Sequence, residues 1–281
     1  MRVRPRFFAG AVAAVIASAA AVRIEADGHT PAAIRPLPKT ETIGLGAGVV
    51  LEFVRVEPGS FIMGSDLEIG DADETPAHRV ALTRPFYICK YEVTQEQWLR
   101  IMGKNPSAFK GAQQPVESVS WNDCQEFLAR VTRKTGRKIS LPTEAQWEYA
   151  CRAGAGTRWN FGDRADAMGE YAWIGQNSGG TTHPVGRKKP NAFGIYDLYG
   201  NVAEWCTDWY ANPYPKGEVT NPTGPPSGMS KIVRGGAWGD DPINARSAYR
   251  NADGPDGANN GIGFRCVLLD ESPSGEPRRV P

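Results

Sequence analysis

Apolar and polar positions alternate over Val49–Val56, Gly59–Met63, His78–Leu82, residues 86–91, Lys231–Arg234 and residues 263–268, which predicts short β-strands toward both ends of the chain. Between these strands, three segments share one helix-start grammar. Thr94-Gln95-Glu96-Gln97, Ser120-Trp121-Asn122-Asp123 and Thr143-Glu144-Ala145-Gln146 each place a hydroxyl at the cap and an acceptor three residues later. Val93 with Trp98, Val119 with Cys124, and Pro142 with Trp147 are spaced as apolar staples, and Gly103, Gly136 and Gly154 follow as stops. The pattern predicts helices at Gln95–Met102, Trp121–Thr135 and Glu144–Arg152, inside a single mixed α+β domain. With 32 Gly and 22 Pro, much of the remainder is expected to be loop.

The ends of the chain change the picture. Arg2, Arg4 and Arg6 precede an uncharged, Ala-rich apolar run over residues 7–22, with small residues following, so residues 1–26 read as a signal peptide or an uncleaved signal anchor. Residues 27–42 carry Pro31, Pro36 and Pro38 and read as a linker; residues 43–270 are the domain, and 271–281 a flexible tail. A periplasmic or secreted location follows as the expectation, with membrane contact only through the N-terminal segment. Charge excludes one class of partner. Thirty-two basic residues balance 31 acidic ones, leaving a formal charge of +1, so nothing holds a polyanion and nucleic acid is not an expected partner.

The densest information is in an ordered series of motifs. They are Gly59-Ser60-Phe61-Ile62-Met63-Gly64-Ser65, Tyr91-Glu92-Val93-Thr94, Pro115-Val116 with Val119-Ser120-Trp121, and Leu141-Pro142-Thr143-Glu144-Ala145-Gln146-Trp147-Glu148-Tyr149. Then come Gly194-Ile195-Tyr196-Asp197-Leu198-Tyr199-Gly200-Asn201-Val202-Ala203-Glu204-Trp205, Arg234-Gly235-Gly236 and Gly263-Phe264-Arg265. This series resembles the formylglycine-generating, or sulfatase-modifying factor, family across nearly the whole domain. The resemblance implies a loop-rich α+β fold related to C-type lectins.

It also implies a chemistry that this chain departs from. Family members that make formylglycine bind copper through two cysteines shortly after Arg-Gly-Gly, because a soft thiolate selects Cu(I). Here the first position falls on Asp240 and the second near Ala245, and no cysteine lies between Cys206 and Cys266. Asp240, Arg246, Tyr249 and Arg250 are the pocket candidates, carboxylate as general base and guanidinium as anion grip; the same residues also suit a salt-bridged loop. An iron site would need His78 and His183 together with a carboxylate, and each sits in a segment that suits a structural histidine. A redox metal, if any, is left unnamed.

Two further assignments come from the resemblance. It implies a calcium site using the side chains of Asp197 and Glu204 and the backbone oxygens of Gly200 and Val202, which suits an ion that takes six to eight oxygens; the competing reading has Glu204 paired with an arginine. It also implies a Cys151–Cys266 disulfide. Cys89 and Cys124 read as buried thiols, and Cys206 as the one thiol near the calcium-like turn. The expected function is an exported oxidoreductase that matures a peptide-like natural product such as a siderophore, similar to the cysteine-less pyoverdine-maturation branch. Alternatives are a formylglycine-generating oxidase acting on sulfatases and a non-catalytic ligand- or partner-binding domain. A peptide-like or small-molecule substrate is expected on the first reading.

Overall fold

The computed structural model describes residues 39–66 and 70–269. The signal segment, most of the linker and the tail lie outside the described residues. Among the described residues no helix is long and apolar enough to cross a membrane.

In chain order the strands are β1 (Thr40–Gly46), β2 (Val49–Val56), β3 (Gly59–Met63), β4 (His78–Leu82), β5 (Phe86–Cys89), β6 (Ile139–Ser140), β7 (Ala203–Trp209), β8 (Val219–Thr220), β9 (Lys231–Arg234), β10 (Arg250–Asp253), β11 (Ile262–Gly263) and β12 (Val267–Leu268). The helices are α1 (Gln95–Met102), α2 (Trp121–Thr135), α3 (Glu144–Arg152) and the single turn α4 (Met168–Tyr171). One sheet runs β1-β2-β5-β12-β6, a second β10-β9-β7-β11, and a third β3-β4-β8. The order brings the C-terminal β12 between β5 and β6, so the chain closes on itself.

The three predicted helices form where the capping grammar places them. Each N-cap hydroxyl of Thr94, Ser120 and Thr143 accepts the N3 backbone N–H, and each N3 side chain reaches back to the cap. Such a cap contributes about 1 kcal/mol by satisfying donors that the first turn leaves open. Gly103 and Gly136 close α1 and α2 in the left-handed region, while α3 is closed one residue before Gly154 by Ala153, at φ 46°.

Two differences from the sequence reading concern strands. β1 begins at Thr40, inside the stretch read as linker, and pairs with β2 through a turn at Gly46-Ala47-Gly48 whose φ angles are all positive. The predicted strand over 263–268 is divided, with Ile262–Gly263 paired to β7 and Val267–Leu268 paired to β5 and β6. The break lets Arg265 turn into the protein between the two pairings, where it is fully buried.

Two apolar cores flank these sheets. The first packs α1 and α2 on β1 and β2, with Trp98 stacked on Phe127 (centroids 5.4 Å) and Phe264 edge-on to both. The second gathers Trp147, Trp159, Leu198, Tyr199 and Ile232 under α3.

Candidate functional site

The helix α3 organises the site because Glu144 and Glu148, one helical turn apart, face the same buried side. Arg234, the last residue of β9, ion-pairs with Glu148, and Arg152 joins the same carboxylate at 2.8 Å. Arg250, opening β10, grips Glu144 through Nε (2.7 Å) and Nη2 (3.0 Å), and its Nη1 donates to the carbonyls of Asp73 and Ala211. The Arg250 guanidinium also lies 4.0 Å from the Tyr214 ring centroid. Burial raises the Glu144 pKa, but Arg250 and Arg234 overcome it and hold the carboxyl below the ordinary range.

Arg246 is anchored in the same way by a different carboxylate. Its Nη1 and Nη2 bind the two oxygens of Glu74 at 2.7 Å each, and its Nε donates to the Ile243 carbonyl. Both arginines proposed as anion grips therefore spend most of their donors on internal carboxylates and carbonyls. That arrangement is the salt-bridged loop, and it holds residues 242–250 against α3 and the Asp71–Glu74 segment.

Asp240 and Tyr249 are placed differently. Asp240 is half-buried; its Oδ2 accepts the Ala237 N–H at 2.8 Å, and its carbonyl accepts Gly175 N–H at 2.9 Å. Burial raises its pKa against the pull of the Ala237 N–H, and Asp241 adds to the rise. Tyr249 is also half-buried, with its ring 5.7 Å from the Arg246 guanidinium and within the electrostatic reach of Asp240. Ala245, near the second cysteine position that the resemblance implies, is completely buried in the second core. Gly236, just after Arg234, sits at φ 71° and so close to the Asn244 carbonyl that a Cβ would come within 2.8 Å of it. A cleft of about 220 Å³ opens beside this loop, between Ser65, Asp66, Arg152, Arg158, Asp163 and Arg246.

On the other side of the Arg234-Gly235-Gly236 turn lies the expected calcium turn. Asp197 and Asn201 adopt φ 55° and 58°, with Gly200 at φ 70° between them, folding the segment tightly around its own backbone. Glu204 projects from β7 and binds Arg265 through both oxygens at 2.7 Å, while Trp147 Nε1 donates to it at 2.8 Å. The arginine pairing considered in the sequence is thus formed. Glu92 stands behind the turn, accepting Val202 N–H at 3.1 Å and Asn201 Nδ2 at 2.6 Å. Asp197 Oδ2 accepts Gly186 N–H at 2.7 Å, whereas Oδ1 is buried and unpartnered.

The charges there do not balance. Glu92, Asp197 and Glu204 are all buried around one buried cation, Arg265, with the half-buried Lys188 acting on Asp197. Burial pushes Glu92 up strongly, with Asp197 and Glu204 adding to it, and burial pushes Asp197 to about 6. An orphaned carboxylate oxygen within surplus negative charge fits a hard divalent cation. Asp197, Glu204 and the carbonyl oxygens of Gly200 and Val202 are the groups that would hold it, with Glu92 fixing the turn from behind. Among the described residues no group of three or more His, Cys, Asp and Glu side chains is placed to hold a metal ion.

The cysteines correct the sequence reading. All five are free and buried, and the expected Cys151–Cys266 disulfide is not formed. Cys151 lies in the second core against the Leu198 carbonyl, whereas Cys266 lies in the first beside Cys89. Cys206 is fully enclosed, and burial, aided by Asp208, pushes its thiol pKa well up, which leaves it no thiolate character. The histidines are held separately. His78 Nδ1 meets the Pro76 carbonyl and its ring packs on Tyr214; His183 Nε2 meets the Ser178 carbonyl and its ring stacks on Trp173 at 3.8 Å.

Several site residues went unremarked in the sequence. Glu92, Glu144 and Glu148 stand within the motif series, and that membership is the signal that marks them. Glu74 lies in no motif, and nothing local marks it as the partner of Arg246.

Comparison with known proteins agrees with this architecture. The model of the sulfatase-modifying factor enzyme 1-like domain matches residues 47–269. The formylglycine-generating enzyme of Streptomyces coelicolor is 31% identical over 244 residues, covering 81% of this chain and 70% of that protein. The chaperone protein LppX of Paenibacillus barcinonensis is 30% identical over 232 residues, covering 65% and 79%. Among solved structures, Treponema denticola variable protein 1 superposes with a TM-score of 0.77 at 28% identity, and PvdO from Pseudomonas aeruginosa with 0.73 at 29%; each comparison covers 83% of this chain and 99% of the other. With the motifs, the fold and the buried pairs in agreement, the chain belongs to the sulfatase-modifying factor enzyme 1-like domain family.

Proposed function

We propose that this protein is exported and acts as an oxidoreductase on a peptide-like natural product, such as a siderophore, without the thiolate-copper chemistry of formylglycine formation. The observation that carries the reading is the substitution at the two copper positions within an otherwise intact scaffold: a half-buried aspartate, Asp240, and an enclosed alanine, Ala245. The likeness to PvdO over 99% of that chain supports it. Asp240 is the general base, its raised pKa bringing it closer to the range where a carboxylate takes up a proton. Tyr249 lines the same face. Arg246 and Arg250 act on the substrate only by fixing the loop that presents Asp240. A calcium ion at Asp197, Gly200, Val202 and Glu204 holds the adjoining turn as a structural cation, and the location is periplasmic or secreted.

A strain lacking the gene is expected to accumulate a reduced precursor, and the purified protein to convert that precursor with consumption of an electron acceptor. An unchanged metabolite profile overturns the reading. Formylglycine formation predicts conversion of a cysteine in a sulfatase peptide to an aldehyde, and none is expected.

A second reading, non-catalytic binding, is favoured by the saturation of Arg246 and Arg250 and by the likeness to Treponema denticola variable protein 1. It predicts that Asp240→Asn weakens ligand binding while no turnover is found with any acceptor.

A further inference from the structure

Cys89, Cys124 and Cys266 share the first core. β12 pairs antiparallel with β5, Val267 opposite Ile88 and Leu268 opposite Tyr87. One step further in that register Cys266 faces Cys89, and the Cys89 N–H donates to the Cys266 carbonyl at 2.7 Å. Directly opposed residues of an antiparallel pair share a face, with Cα atoms about 4.5–5.5 Å apart. That separation is inside the range of roughly 4.4–6.8 Å that a disulfide spans. The two thiols are electrostatic neighbours in the first core, and Cys124 also acts on Cys266.

We propose that Cys89 and Cys266 form a cross-strand disulfide when the chain folds under oxidising conditions, joining the C-terminal strand β12 to β5. Two S–H bonds break and one S–S bond forms; the two electrons and two protons pass to a small-molecule disulfide, such as glutathione disulfide, which leaves as two thiols. In the closed fold both sulfurs are buried, and burial suppresses the Cys266 thiolate, so exchange takes place before β12 docks or when it opens. β12 forms only two residue pairs with each neighbour, which makes such opening local.

The link bears directly on the calcium turn. Arg265, the residue before Cys266, holds Glu204 through two hydrogen bonds and donates to the Asp197 carbonyl at 3.2 Å and the Cys89 carbonyl at 3.1 Å. A covalent bond at Cys89–Cys266 therefore fixes both backbone segments from which Arg265 is suspended. Cys151 cannot compete for Cys266, because it packs in the other core.

The test uses the full chain. It is incubated with glutathione disulfide, once during refolding and once natively at a denaturant concentration below the unfolding transition. It is then alkylated in strong denaturant with N-ethylmaleimide. Three of the five cysteines are expected to be alkylated, and a non-reducing peptide map to join the Cys89 and Cys266 peptides. Cys124→Ala is expected to keep the same link. The melting temperature of the linked protein should fall by on the order of 10 °C with dithiothreitol, and Cys89→Ala/Cys266→Ala should lose that dependence. Alkylation of all five thiols in both arms, or a link through Cys124 or Cys151 instead, overturns the proposal.

Discussion

Glu148 on α3 and Arg234 on β9 form an ion pair in which both side chains are completely buried, and it joins the Leu141–Tyr149 motif to Arg234-Gly235-Gly236. The pair is asymmetric in what its loss would leave. Without Arg234, Glu148 keeps Arg152 and the Gly64 N–H as partners. Without Glu148, Arg234 keeps the carbonyls of Ser247, Ala248 and Tyr249 but a carboxylate only at 3.8 Å, that of Glu144, and its guanidinium stays charged. Glu148→Ala is therefore expected to cost about 3–5 kcal/mol of unfolding free energy, and Arg234→Met less. Urea unfolding of both variants checks the order; equal losses would refute the asymmetry.

What local reading reaches and what it misses follow from the same geometry. The three capping boxes were legible because cap and acceptor lie three residues apart, so one short window holds the whole interaction. The roles of Arg246 and Arg250 were not, because their carboxylates lie 172 and 106 residues away. β1 was missed because Gly44 and Gly46 interrupt its alternation, although Ile43 and Leu45 are buried as a strand requires. The disulfide implied by resemblance failed because the two sulfurs face different cores. The motif series succeeded for a physical reason: Leu141–Tyr149 meets Arg-Gly-Gly through Glu148–Arg234, and the Asn201–Trp205 segment meets Gly-Phe-Arg through Glu204–Arg265. Motif letters that seemed independent are the two halves of single contacts.

Asp208 gives the fold a pH dependence of predictable sign. Its carboxylate accepts the Glu144 N–H at 3.0 Å and the Thr207 hydroxyl at 2.9 Å, yet burial, with the charge of Glu144, pushes its pKa from 3.8 to about 6. A folded-state pKa above the unfolded value means that the native protein binds the proton more tightly between these limits. Stability from this group is then full below about pH 4 and declines as pH rises through about 6, by on the order of 3 kcal/mol. Glu74 and Glu144, where arginines overcome the effect of burial, act oppositely and lose stability as pH falls below the ordinary carboxylate range. Urea unfolding at pH 5 and pH 7.5 is expected to show a decline in the wild type that Asp208→Asn reduces. An unchanged slope would remove Asp208 as its source.

Calcium should stabilise the protein through the one carboxylate oxygen at the turn that lacks a partner, Asp197 Oδ1. At a free concentration about one hundred times its Kd, the gain is about 2.7 kcal/mol. Asp197→Asn removes surplus charge, so this variant is expected to be no less stable than the wild type in a chelator yet to gain little from calcium. Thermal melts with calcium and with chelator separate the two effects. A wild type indifferent to calcium would mean that protonation of Glu92 or Asp197 resolves the charge surplus instead.

Asp240 supplies the sharpest functional test because its local structural contribution can be separated from its chemistry. One oxygen secures the Ala237 N–H, and an asparagine can accept the same bond, so Asp240→Asn is expected to change stability by about 1 kcal/mol or less. It removes the proton acceptor. If Asp240 is the base, turnover of the natural substrate should fall by roughly 10²–10⁴-fold, with KM changed little and the acidic limb of the pH–rate profile lost. Tyr249→Phe retains the packing against Arg246 and tests the neighbouring hydroxyl, where a smaller loss is expected. If Asp240→Asn lowers affinity and turnover is absent in wild type as well, the domain is a binding module, and Asp240 is a recognition carboxylate at the position where its relatives carry sulfur.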